Sequence, residues 1–495
     1  MDKKSNESVK PTYNRGYVIL IAVIVAFGGL LFGFDTGVIS GALLLIKNDP
    51  DLLMNNMAVL PERHQEWVVS ITVLGAAIGA ILSGRMTDKL GRKKVIIIAG
   101  FIFTVGSIGL AAANSVALLI IWRLIIGFGI GLASYTVPLY ISEISPTQAR
   151  GALVSINQLA ITIGVFLSYI AGLSFANFEE GWRWMFLAGL IPSLILTVGM
   201  FFLSETPRWL MVNKGEDEAR KVLDKIGESN KEEVLEKIKN TVKKEREQIQ
   251  ISSMKQLLAP WVRPALIIGA GIMFFQQFTG INTITYYAPT IFEMAGFGAE
   301  STQPVYDAIL PALPLGFVNV LFTVVSIMLV DRWGRKPLLY LGLIGMTASL
   351  AVLGVVFTFY SSIDPVTVKW AAFTSMMIYI PSFAISLGPI AWLLISEVYP
   401  TKIRGFGMSI ATMVNWVSNF IITNTFLTLG LVTTGKMADP SGAGTLVNPG
   451  GAFLIYGAIG ILGLIFVYRY IPETKGHSLE YIENHFLEGK HPKNL

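Results

Sequence analysis

The run YVILIAVIVAFGGLLFGFDTGVISGALLLI, from Tyr17 to Ile46, marks this chain as one that crosses a membrane. A transmembrane helix needs roughly 20 mainly apolar residues, and this run supplies them with a single charge, Asp35. It is too long for a signal-peptide core and no small-residue cleavage pattern follows it, so it reads as a retained helix. Acids at membrane depth are costly, which confines them to polar pathways where they titrate. A helix-end acid facing headgroups does not fit, because Val18 to Phe34 and Thr36 to Ile46 carry no charge. Asp35 is therefore the first candidate functional residue.

The composition agrees: hydrophobic residues make up 53% and charged residues 14%, with a mean hydropathy of +0.59. Twelve apolar stretches are long enough to span, near 17–46, 67–84, 95–113, 116–139, 153–174, 184–203, 264–292, 311–330, 337–360, 370–395, 406–430 and 452–471. The expected fold class is thus an all-α membrane protein of twelve helices. An even number of spans puts both termini on one side. The opposite loops hold only Lys47, Arg63, Arg183, Lys369 and Lys436, and Arg123 lies within a helix. All other Lys and Arg fall on the side of the termini, which the positive-inside rule makes cytoplasmic. The basic charge then belongs to inner loops, and nucleic acid is not an expected partner.

The polar interruption from Glu205 to Pro260 divides the chain. The expected organisation is a tail over 1–16, a six-helix bundle over 17–204, a linker over 205–260, a second bundle over 261–471 and a tail over 472–495. In the linker, Ala219, Val222, Leu223 and Ile226 repeat at helical spacing, as do Val234, Leu235, Ile238 and Val242, predicting short amphipathic helices on the inner face. The tail stripe Leu479, Ile482 and Phe486 repeats the idea.

The halves are duplicated. Asp88-Lys-Leu-Gly-Arg-Lys93 matches Asp331-Arg-Trp-Gly-Arg-Lys336, and Ile141-Ser-Glu-Ile-Ser-Pro-Thr-Gln-Ala-Arg-Gly151 matches Ile395-Ser-Glu-Val-Tyr-Pro-Thr-Lys-Ile-Arg-Gly405. Glu205-Thr-Pro-Arg208 loosely echoes Glu473-Thr-Lys-Gly476. Duplicated helical halves are a transporter architecture, with a midplane site between the repeats and rocking that exposes it alternately. The charges at the inner helix ends, Asp88, Arg92, Glu143, Arg150, Glu205 and Arg208 with Asp331, Arg335, Glu397 and Arg404, read as a cytoplasmic gate. Inter-helix ion pairs among them would hold the inner side shut in the outward-open state. Exposed pairs are worth under about 1 kcal/mol each, so they can be remade on every cycle.

These motifs resemble those of the sugar porter family of the major facilitator superfamily, over about Tyr17 to Leu479. The signatures are Gly33-Phe-Asp-Thr-Gly37, Gly84-Arg-Met-Thr-Asp-Lys-Leu-Gly-Arg92, Ser204-Glu-Thr-Pro-Arg208, Gln276-Gln-Phe-Thr-Gly-Ile-Asn282 and Pro472-Glu-Thr-Lys-Gly476. The chain is most similar to bacterial sugar–proton symporters, the xylose–proton symporters among them. Asp35 stands where the related facilitative glucose transporters of animals carry an amide, which favours proton coupling. The chain departs from the family pattern at Ser204, where proline is usual, and at Ala384, where animal facilitators place a glutamate. The long outer loop from Thr433 to Gly451 has no expected role.

Arg123 is the natural partner for Asp35. Asp35 lies about eleven residues, or ~16 Å, from the outer end of its helix, and Arg123 about seven residues, or ~10 Å, a gap that tilt and a long side chain can close. Ionised, Asp35 pairs with Arg123; protonated, it releases helix 1 from helix 4, and the resemblance implies the same proton-coupling roles. One charge crossing about 100 mV gains ~2.3 kcal/mol, roughly fifty-fold accumulation of a neutral solute. A permanent structural salt bridge is the alternative.

A neutral polyol wants groups that both donate and accept, which amides do. Gln158, Gln276, Gln277, Asn282, Asn319, Asn415 and Asn419 lie deep in predicted spans. Gly280 and Pro289 are candidate breaks in helix 7, and Gly388-Pro389 a kink that aims Trp392 at the cavity. By resemblance, Gln158, Gln276, Gln277, Asn282, Trp392 and Asn415 are sugar-binding positions, and Tyr286 and Tyr287 an extracellular gate. Interhelical amides also serve as packing glue, which is the plainer reading, and Asn319 and Asn419 have the least beside them.

Other chemistry is poorly supplied. Gly127-Phe-Gly129-Ile-Gly131 lies inside a membrane helix, where small residues allow close packing rather than nucleotide binding. The four histidines lack ligand spacing, there are no cysteines, and no Gly-Lys-Ser/Thr phosphate loop occurs. Asn6-Glu-Ser8 matches a glycosylation triplet on the inner face. The expectation is a secondary transporter, not an enzyme, without cofactor or metal, with H⁺ as coupling ion. It takes up a hexose or pentose across the cytoplasmic membrane and works as a monomer, with no obligate protein partner. A uniporter, a proton-coupled myo-inositol transporter and a sugar sensor are the alternatives.

Overall fold

The computed structural model describes residues 13–53, 59–146, 149–228, 230–249, 261–400, 403–441, 445–477, 481–483, 485, 488 and 490. The Asn6-Glu-Ser8 triplet, Leu479 and Phe486, and the side chain of Asp331 lie outside the described residues. Twelve spans are long and apolar enough to cross a membrane. Spans 1–6 are Arg15–Ile46, Glu62–Leu90, Arg92–Ala111, Val116–Ile144, Arg150–Phe175 and Gly181–Phe202. Spans 7–12 are Arg263–Met294, Pro304–Val330, Arg335–Thr358, Pro365–Val398, Arg404–Thr433 and Gly450–Tyr470. The face that carries the termini is called near, the other far.

Several spans outrun their apolar windows. Span 2 starts at Glu62, five residues before the apolar pattern near 67, and runs through the charged motif to Leu90. Bilayer thickness limits the apolar stretch; the helical hydrogen-bond ladder continues into the polar flanks.

Spans 1–6 pack as one bundle and spans 7–12 as a second. In the first, span 1 packs on span 5, span 2 on span 4 and span 3 on span 4. The equivalent contacts in the second are span 7 on 11, span 8 on 10 and span 9 on 10. The bundles meet where span 2 lies on span 11, span 5 on span 8, and span 1 on the second segment of span 7.

Spans 6 and 8 are interrupted near their far ends, between Leu187 and Leu190 and between Ile309 and Ala312, and spans 7 and 10 are broken deeper in. Span 7 divides into Arg263–Phe278 and Ile281–Met294 around Gly280, whose φ of +92° suits glycine alone. Pro289 does not break it: the helix runs through that residue. A proline leaves the carbonyl four residues back without its usual donor, and here the Thr285 carbonyl accepts from the Tyr169 hydroxyl at 3.4 Å. Span 10 divides into Pro365–Ala384 and Leu387–Val398, so its break precedes Gly388-Pro389.

Between the bundles, among the described residues, run three short helices, Pro207–Asn213, Glu216–Ile226 and Lys231–Ile249. The second buries Ala219, Val222, Leu223 and Ile226, the stripe its periodicity predicts. The first was not expected; Thr206 caps it. The far loop after span 11 forms a hairpin in which Lys436–Ala438 pairs antiparallel with Thr445–Val447.

Candidate functional site

Asp35 and Arg123 meet in the middle of the first bundle, with Arg123 Nη1 2.7 Å from Asp35 Oδ1. The guanidinium also donates through Nε to the Val68 carbonyl at 3.1 Å and through Nη2 to the Val69 carbonyl at 3.4 Å. One fully buried cation thus ties spans 1, 2 and 4. The other carboxylate oxygen, Oδ2, is buried without a hydrogen-bond partner among the described residues. Asp35 lines a cavity of about 10 Å³ together with Leu31, Phe34, Ser107 and Phe186. That volume holds about one water molecule.

The second bundle holds amides where the first holds charges. Asn415 Nδ2 donates to Gln276 Oε1 at 2.6 Å, Gln277 Nε2 to the same oxygen at 3.3 Å, and Asn282 Nδ2 to Gln277 Oε1 at 2.6 Å. Gln276 Nε2 donates onward to the Leu387 and Gly388 carbonyls at 2.8 and 3.2 Å. Those carbonyls belong to the first turn of the second segment of span 10, so Gln276 ties span 7 to the helix start just after the break. Trp392 follows on that segment and is 41% exposed. Tyr379, from the first segment, closes the break in span 7 by donating to the Thr279 carbonyl at 2.7 Å.

The other expected residues are more scattered. Gln158 is half-buried on span 5, with no hydrogen bond to the amide row among the described residues. Its neighbour Asn157, which sequence reasoning passed over, presents a buried and unpartnered Oδ1. The Asn-Gln doublet was the available signal. Asn319 is half-buried on span 8, and its backbone carbonyl accepts locally from Thr323. Asn419 is buried and accepts from the Thr423 hydroxyl one turn on.

The far face is closed. Tyr286 and Tyr287 are buried there, Tyr287 donating across to the Thr423 carbonyl of span 11 at 3.2 Å. Tyr286 meets Thr36, next to Asp35, so the tyrosine pair touches the ion-pair site. Between bundles, Lys47 pairs with Glu293 at 2.5 Å and Asn177 donates to Gln303 at 3.0 Å.

At the near face the duplicated motifs form two brackets with the same wiring. Arg92 pairs with Glu143 at 3.1 Å, and Arg335 with Glu397 at 2.8 Å. Thr206 Oγ1 donates to Glu143 at 2.7 Å, and Thr474 Oγ1 to Glu397 at 2.6 Å. Glu205 accepts from the Lys93 backbone N–H at 3.0 Å, as Glu473 does from that of Lys336 at 2.9 Å. The loose echo between the Glu-Thr segments is therefore a structural equivalence.

Each quoted ion pair joins two helices, and both helices belong to one bundle. Glu205 caps a helix rather than pairing with a cation, and burial pushes its carboxyl above the ordinary glutamate range against the pull of the backbone N–H groups of Thr206 and Lys93. Arg150 is exposed with no ion pair among the described residues. Asp88 reaches Arg92 at 3.4 Å, Arg208 reaches Glu143 at 3.8 Å, and Arg404 donates to the Tyr399 carbonyl at 3.1 Å. Among the described residues no group of acids and histidines is arranged to hold a metal.

Comparison with known proteins bears on the whole chain. The family model described as "Sugar (and other) transporter" matches residues 21–486. The galactose-proton symporter of Escherichia coli is 37% identical over 480 residues, covering 96% of each chain. The D-xylose transporter of Levilactobacillus brevis is 38% identical over 458 residues, 92% of this chain and 93% of that one. The inward open conformation of the E. coli xylose transporter XylE superposes with a TM-score of 0.76 at 31% identity, covering 94% of this chain and 99% of that chain. With matches of this extent and twelve spans in two equivalent bundles, this multi-pass membrane protein is a sugar transporter and belongs to the sugar porter family of the major facilitator superfamily.

Proposed function

We propose that the chain is a proton-coupled symporter that carries a hexose or pentose into the cell by alternating access, with both termini in the cytoplasm. The observation that carries this reading is the buried Asp35–Arg123 pair. Two charges held at membrane depth are costly, and a proton on Asp35 removes one of them while loosening the tie between spans 1 and 4. The free Oδ2 beside a water-sized cavity leaves room for that proton. The sugar sits against the second bundle, where Gln276, Gln277, Asn282 and Asn415 offer paired donors and acceptors and Trp392 a flat apolar face, with Gln158 and Asn319 reaching it from spans 5 and 8.

Both relatives and the solved homologue are named for galactose or xylose, which supports a monosaccharide as cargo. The bias of Lys and Arg toward the near face supports its cytoplasmic position. Tyr286 and Tyr287 then close the extracellular side. The near-face brackets keep each bundle rigid as it rocks, and the inner helix ends that they hold in place come together to close the inner side in the opposite state. The test is uptake of galactose and xylose by proteoliposomes carrying the Asp35→Asn variant. Retained counterflow with lost accumulation is expected; roughly fifty-fold accumulation driven by about 100 mV that survives the substitution overturns coupling at Asp35. Uptake by the unaltered carrier that is indifferent to an uncoupler makes it a uniporter.

A further inference from the structure

The far end of span 2 carries charges that the proposed mechanism does not use. Glu66 is fully buried. One of its oxygens accepts from the Thr428 backbone N–H at 2.7 Å, and the other from the Thr428 hydroxyl at 2.6 Å and from Arg63 at 3.2 Å. Arg63 in turn donates to the Asn424 carbonyl at 2.8 Å. Asn424 O and Thr428 N–H are the two groups that an α-helix pairs with each other, residue i with i+4. An acid and a base one turn apart on span 2 thus grasp both ends of a single backbone hydrogen-bond step of span 11.

Their neighbours extend the contact along both helices. Asn424 Nδ2 donates to Ser70 Oγ at 2.6 Å, Trp67 packs on Phe420 with ring centroids 5.9 Å apart, and Arg63 lies 5.5 Å over the Trp67 ring. Residues 63, 66, 67 and 70 form one helical stripe, and 420, 424 and 428 the stripe that faces it.

We infer that Glu66 and Arg63 form an extracellular latch: positioning residues that hold the outer gate shut by clamping span 11, and release it in the outward-open state. A buried carboxylate is tolerable only while its partners are in place. Parting the bundles removes the Thr428 donors and the Asn424 acceptor together and returns the Glu66 charge to water, where the half-exposed Arg63 already reaches. The latch is therefore made in one state and dissolved in the other, unlike the Asp35–Arg123 pair, whose members sit in the same bundle. This inference rests on the alternating-access reading but not on proton coupling or on the sugar.

The chain has no cysteine, so a single introduced thiol reports gate opening. Ile309 is fully buried on span 8, away from the latch, where it lies 3.3 Å from a Cβ built at Gly41 and 3.4 Å from one built at Gly172 of the other bundle. In Ile309→Cys carriers reconstituted without sugar or pH gradient, labelling by a membrane-impermeant maleimide from the far side measures the open population. Adding Glu66→Gln is expected to speed labelling roughly tenfold, the equivalent of one charge-assisted hydrogen bond, and adding Arg63→Gln should act alike. The double substitution should add little to either. Thr428→Val, which keeps the backbone N–H, should produce a smaller rise. Counterflow in the same carriers certifies folding. Unchanged labelling in both single variants that still exchange sugar overturns the latch, even if accumulation is lost, since that would assign Glu66 to coupling instead. Failure of the symport reading leaves the labelling result intact.

Discussion

The two bundles share their near-face brackets almost bond for bond and differ at the midplane. In each, an arginine after a positive-φ glycine grips a glutamate of the next helix pair, and a second glutamate caps the helix that carries the arginine. The lysine that follows donates to a carbonyl at 2.9 Å in both, Lys93 to Phe201 and Lys336 to Ile471. Toward the middle of the spans the likeness ends. The first bundle holds a buried ion pair on helices that run unbroken, the second a row of neutral amides beside two broken ones. The contrast has a physical basis. Amides can bind backbone carbonyls beside a break, as Gln276 does at Leu387 and Gly388, while still offering donors and acceptors to a neutral cargo. A buried charge needs a rigid surround that keeps its partner at hand. Duplication thus preserved what steers each bundle and let the chemistry at the centre diverge.

The largest test of that contrast is Arg123→Ala. It leaves the Asp35 carboxylate and the Val68 and Val69 carbonyls without their donor, so a loss of about 3–5 kcal/mol is expected, read as a lower thermal midpoint and a poor folded yield in detergent. Substitution at the brackets should be milder and alike in both halves. Gly91 and Gly334 have φ of 97° and 90°, and a Cβ there would lie 2.3 Å from Glu205 Oε2 and 2.7 Å from Glu473 Oε2. Gly91→Ala and Gly334→Ala should each cost about 1–3 kcal/mol in the same assay. A large difference between them would mean that the brackets are alike only in outline. Gln276→Ala should cost about 1–3 kcal/mol of stability, less than Arg123→Ala, and raise the half-saturating sugar concentration about tenfold in transport assays, through the loss of one or two hydrogen bonds to the sugar. If it instead lowered the thermal midpoint as much as Arg123→Ala, the amide row would be packing glue.

Much of this was legible in the sequence because membrane burial leaves so few polar choices. Asp35 and Arg123 stood out as lone charges in apolar runs, and the amides of span 7 as a cluster; their contacts follow once the spans are set. Glu66 escaped because the apolar window of span 2 begins after it, so both it and Arg63 read as loop charges. Hydropathy measures the bilayer's limit and not the helix's. The kink expected in span 10 at Gly388-Pro389 falls a few residues earlier, between Ala384 and Leu387, and the continuity of span 7 through Pro289 was out of reach. Whether a proline stops a helix depends on who satisfies the freed carbonyl, and that donor, Tyr169, comes from the other bundle. The near-face pairing was misjudged for a related reason. Charge alone shows that Arg92, Glu143 and Glu205 gather, but only geometry separates an ion-pair partner from a helix cap.

Glu205 offers the smallest and most selective test of the bracket comparison. Its partners include the N–H groups of Lys93 and Thr206, and burial outweighs them, so its carboxyl titrates above the ordinary glutamate value. A raised pKa means that the folded protein holds this proton more tightly than the unfolded chain does. As pH climbs from the ordinary glutamate value through the raised one, the unfolded chain ionises first, and the wild type loses stability relative to a chain with no proton to release. Glu205→Gln is such a chain. The wild-type thermal midpoint, referred to that of Glu205→Gln, should therefore decline modestly across this window and stay level on either side. A rising difference would mean that the N–H groups of Lys93 and Thr206 stabilise the carboxylate more than its burial penalises it, and the capping bond would then be the stronger half of the first bracket.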